Sequence, residues 1–216
     1  RNFLRRQDRK KVSLGGTAAM AFLNATDAAT IKAMRAGMIA LGYPAQRLGH
    51  AIAKSFGLTQ ESVRHPPATV GRPDAKTQVI HFLNKPLPAG VPSRTARAML
   101  GIEDDAVIPV IRNPEKATED SDAVFYFPGC GSERLFSQVG LAVQAMLYDL
   151  GAVTVLPPGY LCCGYPQAAG GFDALGHAIT TQNRVLFHRV ANTLNYLDIR
   201  TVIVSCGTCM DQLEQY

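Results

Sequence analysis

The sequence predicts an α/β fold in which a parallel sheet of β-α-β-α-β order forms the C-terminal part, preceded by a mainly helical segment. Three observations predict it. From residue 123 onward, short runs of β-branched and aromatic residues alternate with longer runs of helical periodicity. The first two strand-like runs stop at Pro128 and Pro157, and the third is followed by Ser205-Cys206-Gly207. The 216 residues are 47% hydrophobic, ample for a packed core.

In chain order, Asp27 is a plausible N-cap for a helical run to Leu41 that is rich in Ala, Met and Ile with Lys32 and Arg35 between them. Pro44 to Phe56 carries a second apolar stripe closed by Gly57. Prolines 86, 88, 92, 109 and 114 break every run from Val79 to Asp122, leaving room for one short helix near Ser93–Leu100. Ala123–Phe127 is then a strand ended by Pro128-Gly129. Glu133–Leu150 follows as a helix, with Leu135, Val139, Val143, Met146 and Leu150 on the expected buried face and Gly151 as its stop. Val153–Leu156 is the second strand, ended by Pro157-Pro158-Gly159. Phe172–Leu197 is a long helix burying Ile179, Leu186, Val190 and Leu194. Thr201–Val204 is the third strand, and Met210–Tyr216 begins another helix. The chain divides accordingly into a helical segment at 1–90, a proline-rich linker at 91–122 and a cysteine-bearing α/β domain at 123–216. Strands joined by helical crossovers run parallel, so all three end on one edge of the sheet.

Charge is uneven. The formal net charge is +5, yet residues 1–128 hold 18 Lys and Arg against 11 Asp and Glu, whereas residues 129–216 hold 4 against 6. Six of the first eleven residues are basic, which reads as a solvated tail; we expect no nucleic-acid partner. No apolar run approaches the roughly 20 residues that cross a bilayer, and the N-terminal residues lack the apolar core of a signal peptide, so a cytoplasmic protein is expected. The sequence lacks an initiator Met and stops just after a cysteine pair, which reads as a piece of a longer polypeptide.

All five cysteines fall just beyond a predicted strand end, and none is expected inside an element. Cys130 follows the first strand, Cys162 and Cys163 lie in the loop after the second, and Cys206 and Cys209 follow the third. Convergence on the carboxyl edge of an open sheet is how α/β proteins build sites. Convergent thiols in a reducing compartment are more often metal ligands than disulfides. Zinc remains an alternative, although five ligands exceed its usual four and an adjacent Cys-Cys pair suits it poorly. An iron-sulfur cluster offers several irons and can use both, and glycines 129, 131, 159, 164 and 207 leave room for a bulky inorganic core.

Phe127-Pro-Gly-Cys130, Leu161-Cys-Cys-Gly-Tyr-Pro166 and Val204-Ser-Cys-Gly-Thr-Cys209 together resemble the CCG cysteine-rich domain. That domain occurs in heterodisulfide reductases, in glycolate oxidase iron-sulfur subunits and in FAD-linked oxidases related to D-lactate dehydrogenase. The resemblance covers residues 123–216. Arg97–Ile102 with Ile108-Pro109 also looks like the segment that often precedes the domain. Family members usually repeat the motif and often carry ferredoxin-type cysteines upstream, whereas this chain has one copy and no such cysteines. The resemblance implies a four-iron, non-cubane cluster ligated by Cys130, Cys162, Cys163, Cys206 and Cys209. It further implies an electron-transfer role in an oxidoreductase of small 2-hydroxy acids such as lactate or glycolate, or in a disulfide reductase. The implied partners are a flavin (FAD) domain or subunit and other iron-sulfur modules, with peripheral attachment to a membrane compatible. The non-catalytic alternative is a structural zinc module.

Other signals are weaker. His177 and His188 fall on one side of the long helix and read as ordinary exposed or core histidines. Gly15-Gly16 and Gly170-Gly171 read as plain turns, since neither sits in a phosphate-binding pattern. Cys206-Gly-Thr-Cys209 alone resembles a dithiol redox motif, which leaves the other three cysteines unexplained.

Overall fold

The computed structural model describes residues 14–59, 79 and 82–216. The basic residues at the N-terminus lie outside the described residues. The chain forms two compact units, one of described residues 14–32 and 94–216, the other of residues 33–93.

The first unit is built on a four-stranded sheet of order β1-β3-β2-β4, comprising β1 (Val110–Ile111), β2 (Ala123–Phe127), β3 (Val153–Val155) and β4 (Thr201–Val204). β2 pairs in parallel with both β3 and β4, as the alternation predicts, with Phe125 opposite Val155 on one side and Val202 on the other. β1 is an addition, because the proline-rich stretch contributes a two-residue antiparallel edge strand, Val110 opposite Val155. So short a strand carries no period-2 signal in the sequence.

Helices cover both faces of the sheet, which is why β2 is apolar without alternation. Phe125 and Phe127 pack with Val155, Val190 and Leu194 on one face, while Val124 and Tyr126 pack with Leu147 and Leu156 on the other. Helix α1 (Leu14–Asn24) includes Gly15 and Gly16, which are therefore helical and not a turn. Helix α2 (Ala28–Ala36) starts as expected, the Thr30 N–H donating to Asp27 Oδ1 at 2.7 Å. It continues without a break through a π-helical segment, Gly37–Gly42, into α3 (Tyr43–Ser55). The short helix α4 (Ala96–Leu100) is capped by Thr95, whose side chain accepts from the Ala98 N–H.

The helix expected at Glu133–Leu150 is two pieces, a π-helical turn at Gly131–Leu135 and helix α5 (Ser137–Asp149), with Phe136 at φ −102° between them. The extra residue per turn rotates the helix phase, so the buried face is Ser137, Gly140, Gln144 and Leu147. Val139, Met146 and Leu150 are exposed, contrary to the sequence expectation. Gly140 allows this packing, since a Cβ there would stand 2.6 Å from the Ser132 carbonyl oxygen. After β3 comes a short unexpected helix, α6 (Tyr165–Ala169), then α7 (Asp173–Thr193), with Asn195–Leu197 as a separate 3₁₀ turn, and finally α8 (Gly207–Leu213). Val190 and Leu194 are buried as expected, with Ile179 and Leu186 half-buried.

The expected linker is fastened to the sheet domain by charge. Arg97 of α4 is buried, pairs with the buried Glu133 carboxylate, and donates to the Pro157 carbonyl at 2.5 Å. Burial pushes Glu133 above the ordinary carboxylate range, and Arg97 and Arg134 pull it back.

In the second unit, Gln46 Nε2 donates to the carbonyls of Phe82 and Lys85 at 2.7 and 2.8 Å, its Oε1 accepts from Leu87 N–H, and His50 Nδ1 donates to Leu83 O. Arg35 donates to the carbonyls of Pro92 and Ser93. The apolar stripe read from Pro44 to Phe56 faces outward at Leu48, Ile52 and Phe56.

Removing one half of a buried ion pair leaves the other charge uncompensated. Arg97→Ala is therefore expected to destabilise the protein by about 3–5 kcal/mol in urea denaturation, and Arg97→Met with Glu133→Leu to recover most of it. A single variant as stable as the wild type would show that the pair fastens nothing.

Candidate metal centre

The parallel strands deliver the cysteines as the sequence predicts. The end of β2 leads through Gly129 to Cys130, the loop after β3 carries Cys162 and Cys163, and β4 runs through Ser205 to Cys206 and Cys209. Two of the five do lie on helical elements. Cys130 has helical φ and ψ of −65° and −29° at the head of the π-helical turn, and Cys209 lies in α8, with Cys206 extended at its start. A strand that ends against a site and turns at once into helix keeps its thiol at the edge, so convergence survives the difference.

Cys130, Cys162, Cys163 and Cys209 are buried, Cys206 is half-buried, and all five are free thiols. Cys130 and Cys162 sulfurs stand 3.8 Å apart, far beyond the roughly 2.05 Å of a disulfide. Cys163 and Cys209 also share a hydrogen bond and sit in the same apolar cluster as Phe125, Phe127 and Val190. Cys206 Sγ is turned toward Thr208 Oγ1 at 2.9 Å. Among the described residues, no three Cys, His, Asp or Glu side chains are already gathered into one ion's coordination shell. His177 and His188 are exposed on α7, in line with their ordinary reading.

The thiols share protons unequally. Hydrogen bonds from Cys130 and then Cys163 draw Cys162 down to about 3, helped by the Gly164 N–H. Its two donors are correspondingly raised, Cys130 by that same contact and then by burial, Cys163 by that contact, then by its hydrogen bond with Cys209 and then by burial. Cys209 is lowered, chiefly by its hydrogen bond with Cys163. Metal-free, the site thus holds its negative charge on Cys162 and Cys209 and its protons on Cys130 and Cys163.

Several residues shape the site that the sequence did not single out. Gly164, at φ +88°, turns the chain so that its own N–H faces Cys162 Sγ and that of Tyr165 faces Cys163 Sγ. Asn183 of α7 donates to the Cys162 carbonyl at 2.7 Å, and the Tyr216 hydroxyl donates to the Cys163 carbonyl at 2.9 Å. The Tyr216 ring stacks on Phe187, 5.9 Å between centroids, and burial pushes its hydroxyl up to about 12. Gln167, fully buried, turns its Oε1 toward Cys162 Sγ at 3.6 Å. Gly129 has φ +68°, and a Cβ on it would stand 2.8 Å from Cys209 Sγ, so the first strand end and the last helix approach as closely as only glycine permits.

Residues 124–214 match the family model described as CCG, the cysteine-rich domain. This part of the chain is a CCG cysteine-rich domain. No curated protein and no solved structure matches the chain. The donor set of the CCG domain fits an iron-sulfur group, since sulfur donors, backbone N–H groups aimed at them and an apolar wall are what such a group needs.

Two outcomes follow. Gly129→Ala combines a left-handed φ with a clash on Cys209, and is expected to cost about 1–3 kcal/mol and to impair metal uptake. Gly131→Ala, with nothing within 4 Å of the added methyl, is expected to be tolerated, and equal losses from the two would reject the close-approach account. In metal-free protein, a lowered thiol pKa means thiolate above that value, so thiolate ultraviolet absorbance from Cys162 should persist as pH falls to about 3. Cys130→Ala removes its chief donor and should move that loss to higher pH, and an unmoved titration would show that Cys130 does not hold the charge.

Proposed function

We propose that Cys130, Cys162, Cys163, Cys206 and Cys209 hold a four-iron, non-cubane iron-sulfur cluster, and that the chain is an electron-transfer module of an oxidoreductase. The observation that carries the reading is the delivery of five free thiols, four of them buried, to one edge of a parallel sheet. The match of residues 124–214 to the cysteine-rich domain supports it. The CCG resemblance extends the proposal to a flavin-linked enzyme of small 2-hydroxy acids, lactate or glycolate in type, with FAD on another domain or subunit and the whole in the cytoplasm. Among the described residues, no helix is long and apolar enough to cross a membrane.

When bound, such a cluster takes up and gives up single electrons. The protein's own part is to hold and shield it. Phe125, Phe127 and Phe187 form an edge-to-face wall, with Phe187 5.0 and 5.8 Å from the two strand rings, that keeps water from the Cys163 and Cys209 side. The N–H groups of Gly164 and Tyr165 spread the negative charge of the sulfurs, and Asn183 and Tyr216 hold the carbonyls of the Cys-Cys pair so that both side chains turn inward. Cys206, half-buried while the other four cysteines are buried, would hold the group from its solvent side.

Iron, sulfide and zinc content with the visible spectrum of anaerobically purified protein tests the reading. Brown protein with about four irons, lost in Cys163→Ser, is expected. One zinc, no iron and no colour after anaerobic reconstitution would replace electron transfer with a structural zinc module.

A further inference from the structure

Helix α1 lies outside the matched segment, yet its last turn is built into the cysteine site. Arg134, fully buried, donates through Nη1 to the carbonyls of Phe22 and Leu23 at 3.0 and 3.1 Å and through Nη2 to Tyr160 O at 3.2 Å. It thereby supplies donors to the carbonyls that a helix C-terminus leaves over. The next residue, Asn24, accepts at Oδ1 from Gln167 Nε2 at 2.9 Å, and Gln167 Oε1 in turn stands 3.6 Å from Cys162 Sγ. A chain of two amides thus runs from an exposed residue of α1 to a buried sulfur.

We propose that Gln167 and Asn24 are positioning residues for Cys162, the Gln167 amide donating to the Cys162 sulfur whenever it is a thiolate ligand, so that α1 is a functional wall of the site. The inference rests on the reading of Cys162 as a ligand. Oε1 at 3.6 Å suits a Cys162 thiol, but a thiolate has no proton to give, and its buried neighbour must then offer an N–H. Rotating the Gln167 amide does so and leaves Oε1 facing Asn24, which must itself rotate to offer Nδ2. A backbone carbonyl in place of Asn24 could only accept, and would lock Gln167 in the orientation that faces a thiolate with an oxygen. Asn24 is exposed, so water serves its outer half in either orientation. An N–H donor on a ligand sulfur disperses charge and favours the reduced state of whatever metal group the sulfur binds.

The test compares wild type, Gln167→Met and Asn24→Leu for iron content, thermal unfolding and midpoint potential by spectroelectrochemistry. Both variants are expected to retain iron. Gln167→Met should lower the reduced-to-oxidised ratio at fixed potential roughly tenfold, about −59 mV for one electron, and Asn24→Leu should shift it in the same direction by less. A wild-type potential in Asn24→Leu overturns the proposal even if Gln167→Met fails to fold, because Asn24 is exposed and its loss spares the core. If wild type binds no iron, the cluster reading fails instead. The amide chain is then judged on metal-free protein by mapping Cys162 alkylation, where a roughly threefold or larger change in both variants supports it and unchanged rates reject it.

Discussion

The arrangement of this protein depends on the helical crossovers that bring each strand back to the sheet in the same direction. β2, β3 and β4 all point one way, so three loops far apart in sequence open on one edge. Cys130 and Cys209, 79 positions apart, become neighbours through Gly129, whose missing side chain is what lets the outgoing strand touch the last helix. Antiparallel pairing of β4 would have sent Cys206 and Cys209 to the opposite end of the sheet. The site is thus a consequence of topology first and of local chemistry second.

The same edge explains the distribution of polar groups. Parallel sheets are covered on both faces, so residues at the strand ends have little water to turn to. Carbonyls of Cys162 and Cys163 are met by Asn183 and Tyr216, and the carbonyls ending α1 by Arg134. Two guanidinium groups, Arg97 and Arg134, flank the Tyr160 ring at 5.7 and 5.8 Å, with Glu133 as the counter-charge of the first. Burying that much charge is costly unless every group is partnered, and the partners come from α1, α4, the Tyr160 loop and the π-helical turn together. These segments are therefore locked to the cysteine site, and removing any one exposes a charge next to it.

What was legible in the sequence follows from range. Strand runs of four or five residues, glycine and proline stops and cysteines beyond strand ends are local signals, and the three parallel strands and all five cysteines were read from them. The phase of α5 was not, because a π-helical turn inserts one residue and rotates every later side chain by about 100°. Met146 and Leu150, apolar at regular spacing, therefore face solvent while Gln144 and Gly140 face inward. β1 was missed since two residues have no periodicity, and α6 since five residues after a Cys-Cys pair read as loop.

Gln167, Asn24 and Arg134 were illegible for another reason. Each is an ordinary polar residue whose partners lie up to 143 positions away, so nothing in its neighbourhood marks it. Arg134 sits in a stretch that reads as the start of an amphipathic helix, where an arginine is expected to face water, and only the π-helical turn swings it inward. The matched segment stops short of Asn24 and α4 alike; exposed Asn24 meets the buried Gln167, and α4 meets the segment through the buried Arg97. The groups next to Cys162 and Cys130 lie within the matched segment, but two of them are partnered from outside it, Gln167 by Asn24 and Glu133 by Arg97.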